Sequence, residues 1–273
     1  MRTRRRGVFL QTAGCRCPML SGMASHAPTA ATLARWRERM LESMLPRHCL
    51  LCGQASADSP LCAGCRGDLP RLSLACTSCA LPLPPAAAGG SAAEFRCGKC
   101  VIRPPPWDRA VAALRYEFPA DDLVCRFKFG RDLCAGAALA DELRAVLQGV
   151  EGPHPDAIVP VPLHRSRFLA RTFNQAELLA RALGQALGLP VQARLLLRRR
   201  RTNAQSGLDA SARLRNVRGA FELRRRTARE PMPPHVALVD DVLTTGVTLA
   251  ECTRVLKRGG ARRVSVWVAA RAP

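Results

Sequence analysis

The sequence predicts an α/β protein in which a cysteine-rich module precedes a parallel sheet covered by helices. Three observations lead there. Four CxxC pairs are crowded into residues 49–100. From about residue 107 onward, strand-like apolar runs alternate with helix-like ones. One of those runs, VALVDDVLTTGVT at 236–248, ends in two adjacent carboxylates and then Thr-Thr-Gly. With 273 residues, 48% of them hydrophobic, the chain can build one or two domains with real cores. No run approaches the roughly 20 apolar residues of a membrane span, so no membrane association is expected.

The segment 1–45 is expected to be an extension, poorly ordered in part. Its start, MRTRRRGVFLQTAGC, has a basic end and an apolar stretch of about eight residues containing Gln11 and Thr12, at the lower limit for an export signal. Export is not the expectation, because eight thiols awaiting metal suit an oxidising compartment badly. Initiation at Met19, Met23 or Met40 and a cytoplasmic protein are expected instead. Within 32–45, Leu33, Trp36, Met40, Leu41 and Met44 lie near one face of a short amphipathic helix.

The module spans 46–103. Its pairs are Cys49/Cys52, Cys62/Cys65, Cys76/Cys79 and Cys97/Cys100. A CxxC turn offers two thiolates to one tetrahedral ion, and two turns complete a four-cysteine zinc site. Eight ligands therefore make two sites. Sequential pairing of the turns and interleaved pairing both satisfy the spacing. Phe95 is the one aromatic residue between the first and last ligand, so metal must supply much of the module's folding energy. All-thiolate ligation leaves no open position, which reads as structural zinc. Each filled site carries −2, which lowers the formal charge from +21 to about +17. Cys134 and Cys252 fall in helical patterns and read as small buried hydrophobes.

The stretch Pro104-Pro105-Pro106 is a stiff spacer into the second part, 107–273. Strands are predicted at 109–116, 156–161, 191–197, 235–240 and 263–269, and helices at 132–148, 174–187 and 246–258. Asn174 caps the second helix and Gly188 stops it. Gly259-Gly260 ends the third. In such sheets ligands bind where strands end and helices begin. Asp240 and Asp241 sit at that place, and Val242–Gly246 leads directly into a helix N-terminus. Backbone N–H groups and Thr hydroxyls there suit a phosphate. Two carboxylates would repel a bare phosphate, but they suit sugar hydroxyls or Mg²⁺. The ligand that satisfies both halves is a phosphorylated ribose.

This stretch resembles the phosphoribosyl-pyrophosphate (PRPP) motif of type I phosphoribosyltransferases. With four CxxC pairs ahead of it, the chain resembles the ComF family of competence-associated, GntX-like proteins over about 48–273. Matching stretches are Phe127-Lys128-Phe129-Gly130, Val159 to His164, Phe173-Asn174-Gln175, and Thr202, Gln205, Leu208, Arg213, Asn216 and Gly219-Ala220-Phe221. Thr172 departs from the pattern, standing where the family usually has glycine.

The resemblance implies that Asp240 and Asp241 hold the ribose 2′- and 3′-hydroxyls and assist Mg²⁺. It implies that Thr244, Thr245, Gly246, Val247 and Thr248 form the 5′-phosphate loop. His164, Arg165, Arg167 and Arg171 occupy the pyrophosphate-loop position, and three guanidinium groups suit a leaving pyrophosphate. Thr244 stands where purine-salvage relatives carry a general-base aspartate, so a hypoxanthine-type activity is not expected. Two functions are carried forward. One is a Mg²⁺-dependent phosphoribosyltransferase (a glycosyltransferase) of unspecified acceptor, linked to DNA uptake. The other is a non-catalytic factor that binds PRPP and single-stranded DNA, with other competence proteins as partners.

Basic residues cluster at 194–229, where twelve arginines face Asp209 and Glu222. Among all basic residues of the chain only Lys99, Lys128 and Lys257 are lysine, so arginine-rich coding accounts for part of this density. The cluster reads either as a solvated loop or as a lid that meets pyrophosphate or single-stranded DNA. With Phe221 as its lone aromatic, DNA binding there would be electrostatic and salt-dependent.

Overall fold

The computed structural model describes residues 48–56, 59–84, 95–164, 172–200, 217–224 and 231–273. The chain divides into two compact units, Met1–Ser43 and Met44–Pro273, and every described residue belongs to the second. The helix expected over 32–45 therefore lies outside the described residues. So do Arg165, Arg167, Arg171 and the centre of the arginine-rich stretch.

Four parallel strands form the main sheet: β1 (Arg109–Arg115), β2 (Ala157–Pro160), β5 (His235–Leu243) and β6 (Arg263–Arg271), in the order β1-β6-β5-β2. Alternation along β5 serves two cores. Ala237 and Val239 face α3 (Ala120–Phe129), α4 (Leu133–Gln148) and α5 (Gln175–Leu187), through Phe127, Leu139, Leu143, Leu179 and Leu183. Val236 and Leu238 face the opposite side, where α6 (Val247–Arg258) buries Leu249, Cys252 and Leu256. Strands covered on both faces read as the nearly continuous apolar runs seen in the sequence. A two-stranded antiparallel sheet, β3 (Leu196–Arg198) and β4 (Phe221–Leu223), packs Leu196 and Phe221 into that second core.

The helices at 132–148, 174–187 and 246–258 form within a residue of expectation, because their caps are local. Asp132 accepts from the amides of Cys134 and Ala135, Asn174 accepts from Ala176, and Gly188 closes α5 at φ 68°. Three points differ. The predicted strand 191–197 is mostly turn: Val191 makes an isolated bridge to Ile158, and regular pairing starts only at Leu196. Strand β5 does not stop at Asp240, since β6 runs beside it and keeps Val242 and Leu243 in register with Ala270 and Arg271. Helix α3 was not predicted, although Leu123, Val124 and Phe127 share its buried face and Asp121 and Asp122 favour its N-terminus.

The cysteine module, with short helices α1 (Ala63–Gly67) and α2 (Gly98–Ile102), lies on this sheet. Residues 70–72 pair with the outer edge of β1: Arg115 N donates to Pro70 O at 2.8 Å and Leu72 N to Ala113 O at 3.2 Å. An otherwise open sheet edge is thereby covered. Arg71 reaches the buried Glu142 of α4 at 2.7 Å, and Arg126 of α3 donates to Leu50 O.

Candidate functional site: two thiolate clusters and an acid pair beside a loop

Turn spacing places the thiols in two groups. Cys49, Cys52, Cys62 and Cys65 form one, Cys76, Cys79, Cys97 and Cys100 the other, with all sulfurs of a group within 4.8 Å of one another. The fold thus adopts sequential pairing rather than interleaving. A tetrahedral zinc with ~2.3 Å bonds needs sulfurs about 3.8 Å apart. Cys52 Sγ and Cys62 Sγ are 3.7 Å apart, as are Cys79 Sγ and Cys97 Sγ. Backbone amides aim at the sulfurs, for example Cys97 N at Cys76 Sγ, 3.2 Å. Burial works to raise the Cys49 thiol, but the amides of Cys52, Cys62 and Leu51 outweigh it and bring it down to about 6. Cys76 is likewise raised by burial yet brought to about 7 by the amides of Cys97, Cys79 and Ser78. Both sites fit four-cysteine zinc ligation. Of the other cysteines, Cys252 is fully buried as expected, Cys134 is half-buried, and Cys125 is exposed.

The second constellation lies at the carboxyl ends of the sheet. Asp241 is buried and meets Lys128 Nζ of α3 at 3.1 Å. Asp240 is half-buried beside it, and its Oδ1 accepts from Asp241 N at 2.9 Å. Burial first, then the Asp241 carboxylate, pushes Asp240 up to about 7 against the opposing charges of Lys128 and Arg198. Beyond Leu243 the chain turns through exposed Thr244 and Thr245 to Gly246 at φ 74°, and α6 begins at Val247. The N-cap residue, Gly246, has no side chain to cap this helix, and no acid occupies its first turn. Val247 and Thr248 are half-buried at the helix start.

The companion loop starts from β2. Val161 N donates to Val239 O at 2.9 Å, which sets the end of β2 directly beside Asp240. His164 is half-buried as the chain leaves the sheet. At the far end of the loop, Asn174 Nδ2 donates back to Val161 O at 3.0 Å, so both ends are pinned. Thr172 adopts φ 69°, the left-handed conformation that a glycine would take freely and a β-branched residue takes under strain.

Sequence reasoning named the carboxylates and the loop but left out their cations. Lys128 stands out there as one of three lysines and within a matching stretch, with no role at the site. Arg198 was read as part of a loop run, yet it lies in β3, with its guanidinium 5.2 Å from the Phe221 ring centre and its charge acting on Asp240. Its neighbours are tied down too: Arg199 pairs with Glu222, and Arg200 donates to Arg218 O. Tyr116 was also missed. Burial, then its contact with Cys125, raises it to about 12, and the Asp241 charge adds to that shift. The signal that could have found Tyr116 and Lys128 is the alternation of strands itself, since whatever follows β1 must converge with β5 at the same end of the sheet.

Two four-thiolate sites joined to a parallel α/β part, whose paired acids stand beside a tight loop and a helix start, define the class: a double zinc-ribbon protein with an α/β part. The double zinc ribbon domain family matches residues 40–101. The DNA utilization protein YhgH of Salmonella typhi is 38% identical over 231 residues, 82% of this chain and 96% of that protein. Competence protein F of Haemophilus influenzae is 35% identical over 224 residues, 79% and 92%. The chain belongs to the ComF family. Among solved structures, adenine phosphoribosyl transferase from Trypanosoma brucei is similar at 14% identity over 52% of this chain and 54% of that one, with a TM-score of 0.33, too low to carry an argument. Among the described residues no helix is long and apolar enough to cross a membrane.

Proposed function

We propose that this chain binds Mg²⁺-PRPP at the Asp240–Thr248 segment and acts as a phosphoribosyltransferase-type protein linked to DNA uptake. The observation that carries the reading is the adjacency of paired carboxylates and a glycine-led, acid-free helix N-terminus at one end of the sheet. Asp240 and Asp241 would take the ribose hydroxyls and Mg²⁺, for which hard oxygen donors are suited. Thr244 to Thr248 would hold the 5′-phosphate. His164 with Arg165, Arg167 and Arg171 would receive the pyrophosphate, whose negative charge must be neutralised as its bond to the anomeric carbon breaks. Lys128, which pairs with Asp241, would add a positive charge beside the phosphates.

A second reading, binding of PRPP and single-stranded DNA without catalysis, is favoured by Thr244, which puts a hydroxyl where a general base would need a carboxylate. The relatives' names, competence and DNA utilization, suit either reading. Calorimetry with Mg²⁺-PRPP tests their shared premise. Asp240→Asn with Asp241→Asn should abolish binding while zinc content and fold persist, and unchanged affinity would refute the site. Release of pyrophosphate that depends on an added acceptor then separates enzyme from binding factor.

A further inference from the structure

The second thiolate cluster is joined to the loop after β5 by a continuous set of buried and partly buried contacts. Three successive carbonyls of its first CxxC turn are each taken by the α/β part. Ala110 N donates to Thr77 O at 2.9 Å, Trp107 Nε1 to Ser78 O at 2.5 Å, and Arg271 Nε to Cys79 O at 2.8 Å. The same donors reach the loop. Arg271 Nη1 donates to Leu243 O at 3.0 Å, and Ala272 N donates to that oxygen at 3.0 Å as well. Leu243 is the last residue of β5 before the two threonines. The Trp107 ring lies so close over Gly246 that a Cβ there would come within 2.7 Å of Cη2. Trp107 is 7% exposed and Arg271 9%, so neither contact is diluted by water. The first cluster makes no such link among the described contacts; it touches α3 through Leu50 O, and α4 through Arg66, which pairs with Glu142 at 3.4 Å.

A CxxC turn directs its sulfurs inward to a metal, and that leaves its carbonyls outward. Here the outward carbonyls are the anchor for Trp107 and Arg271. A guanidinium that spans two carbonyls holds them at a fixed separation, because its donors form a rigid planar fork. If the knuckle loosens, Arg271 keeps only the Leu243 half of its contact, and the Trp107 ring loses the bond that orients it over Gly246.

We propose that the second zinc knuckle braces the anion-binding loop. Trp107 and Arg271 are positioning residues that pass its fold to Leu243–Gly246, so the shape of the loop depends on zinc at Cys76, Cys79, Cys97 and Cys100 and not on zinc at the first cluster. The proposal rests on reading 244–248 as a phosphate loop, and it adds what holds that loop in shape. Linkage makes the coupling reciprocal: a ligand that favours the braced loop must also favour zinc at the second knuckle.

The test uses the full chain with both sites filled. Amide exchange is measured without ligand at Ala250 and Ala272, whose N–H groups are bonded to Gly246 O and Leu243 O, in wild type, Cys97→Ser, Cys52→Ser and Arg271→Met, with the α5 amides as the fold check. Cys97→Ser should lose one zinc and speed exchange at these two amides about tenfold, the scale of one lost charged hydrogen bond. Cys52→Ser should lose one zinc and leave both unchanged. Arg271→Met should keep both ions and still speed exchange there. In wild type, Mg²⁺-PRPP should slow the loss of one zinc ion to a chelator, and in Arg271→Met that protection should vanish, an effect a purely structural arginine would not have. Should Cys97→Ser fail to fold, Arg271→Met decides the matter. Unchanged exchange at Ala250 and Ala272 in Arg271→Met, or equal acceleration in Cys52→Ser and Cys97→Ser, overturns the proposal. Absence of Mg²⁺-PRPP binding by wild type would refute the ligand reading alone, since the exchange comparison does not use it.

Discussion

Replacing Gly246 by alanine should be among the costliest single-methyl additions in this chain. Two independent penalties act. The residue sits at φ 74°, where an L side chain costs roughly 1–2 kcal/mol. The new Cβ would also lie 2.7 Å from Trp107 Cη2 and 3.3 Å from Leu243 Cδ1. The indole cannot swing aside cheaply, because Nε1 is bonded to Ser78 O and the ring is buried. Overpacking of this sort costs about 1–3 kcal/mol, for a total of ~2–5 kcal/mol. At roughly 2–4 °C per kcal/mol for a domain of this size, Tm should fall by about 4–20 °C. A double-mutant cycle with Trp107→Leu separates the two penalties. Without the indole, the Gly246→Ala cost should shrink to about 1–2 kcal/mol, the backbone part alone. Denaturant unfolding of the four proteins, zinc-loaded, supplies the numbers. A Gly246→Ala cost below about 0.5 kcal/mol, or one equal in both backgrounds, would refute the steric account.

Thr172→Gly should stabilise the protein by about 1 kcal/mol by relieving a left-handed β-branched residue, read as a Tm rise of a few degrees; a loss of stability would mean that contacts of the threonine outweigh the strain. The carboxyl of Asp240 is raised from 3.8 to about 7 in the fold, so folding holds its proton in a range where the unfolded chain has released it. Its stability contribution is therefore most favourable below about 4 and declines as pH rises towards 7; Asp240→Asn, which can still accept from Asp241 N, should gain on wild type from pH 4 to pH 8, and denaturation curves showing a flat difference would contradict the shift. Metal analysis of protein purified from zinc-containing medium should give close to two ions per chain, and one after Cys97→Ser, whereas a preparation with disulfides in 49–100 and no metal would contradict both sites.

Most of what was legible in the sequence was local. A helix announces itself through caps such as Asp132 and Asn174, which act within three residues of themselves. The buried strands announce themselves as apolar runs because both of their faces meet helices. The weaker predictions share a cause. Residues 191–197 have strand composition, but only tertiary neighbours decide which of them pair, and β2 offers a partner to Val191 alone. Strand β5 outlasts its apolar run because β6 supplies hydrogen-bond partners as far as Arg271, a fact absent from the local pattern.

By itself, then, the sequence determined the eight thiolate ligands, the α/β order of elements, the ComF resemblance, and the carboxylates and loop worth testing. Each of these is carried by residues within a few positions of one another. Only the tertiary structure decided that the CxxC turns pair sequentially, that Lys128 closes on Asp241, that Arg198 leaves the arginine run to act on Asp240, and that Trp107 and Arg271 join a zinc knuckle to the loop after Leu243. The reason is physical. A side-chain period or a ligand spacing is fixed by backbone geometry over one or two turns of chain, whereas a contact between distant segments exists only once the packed sheet has brought its strand ends to a common edge.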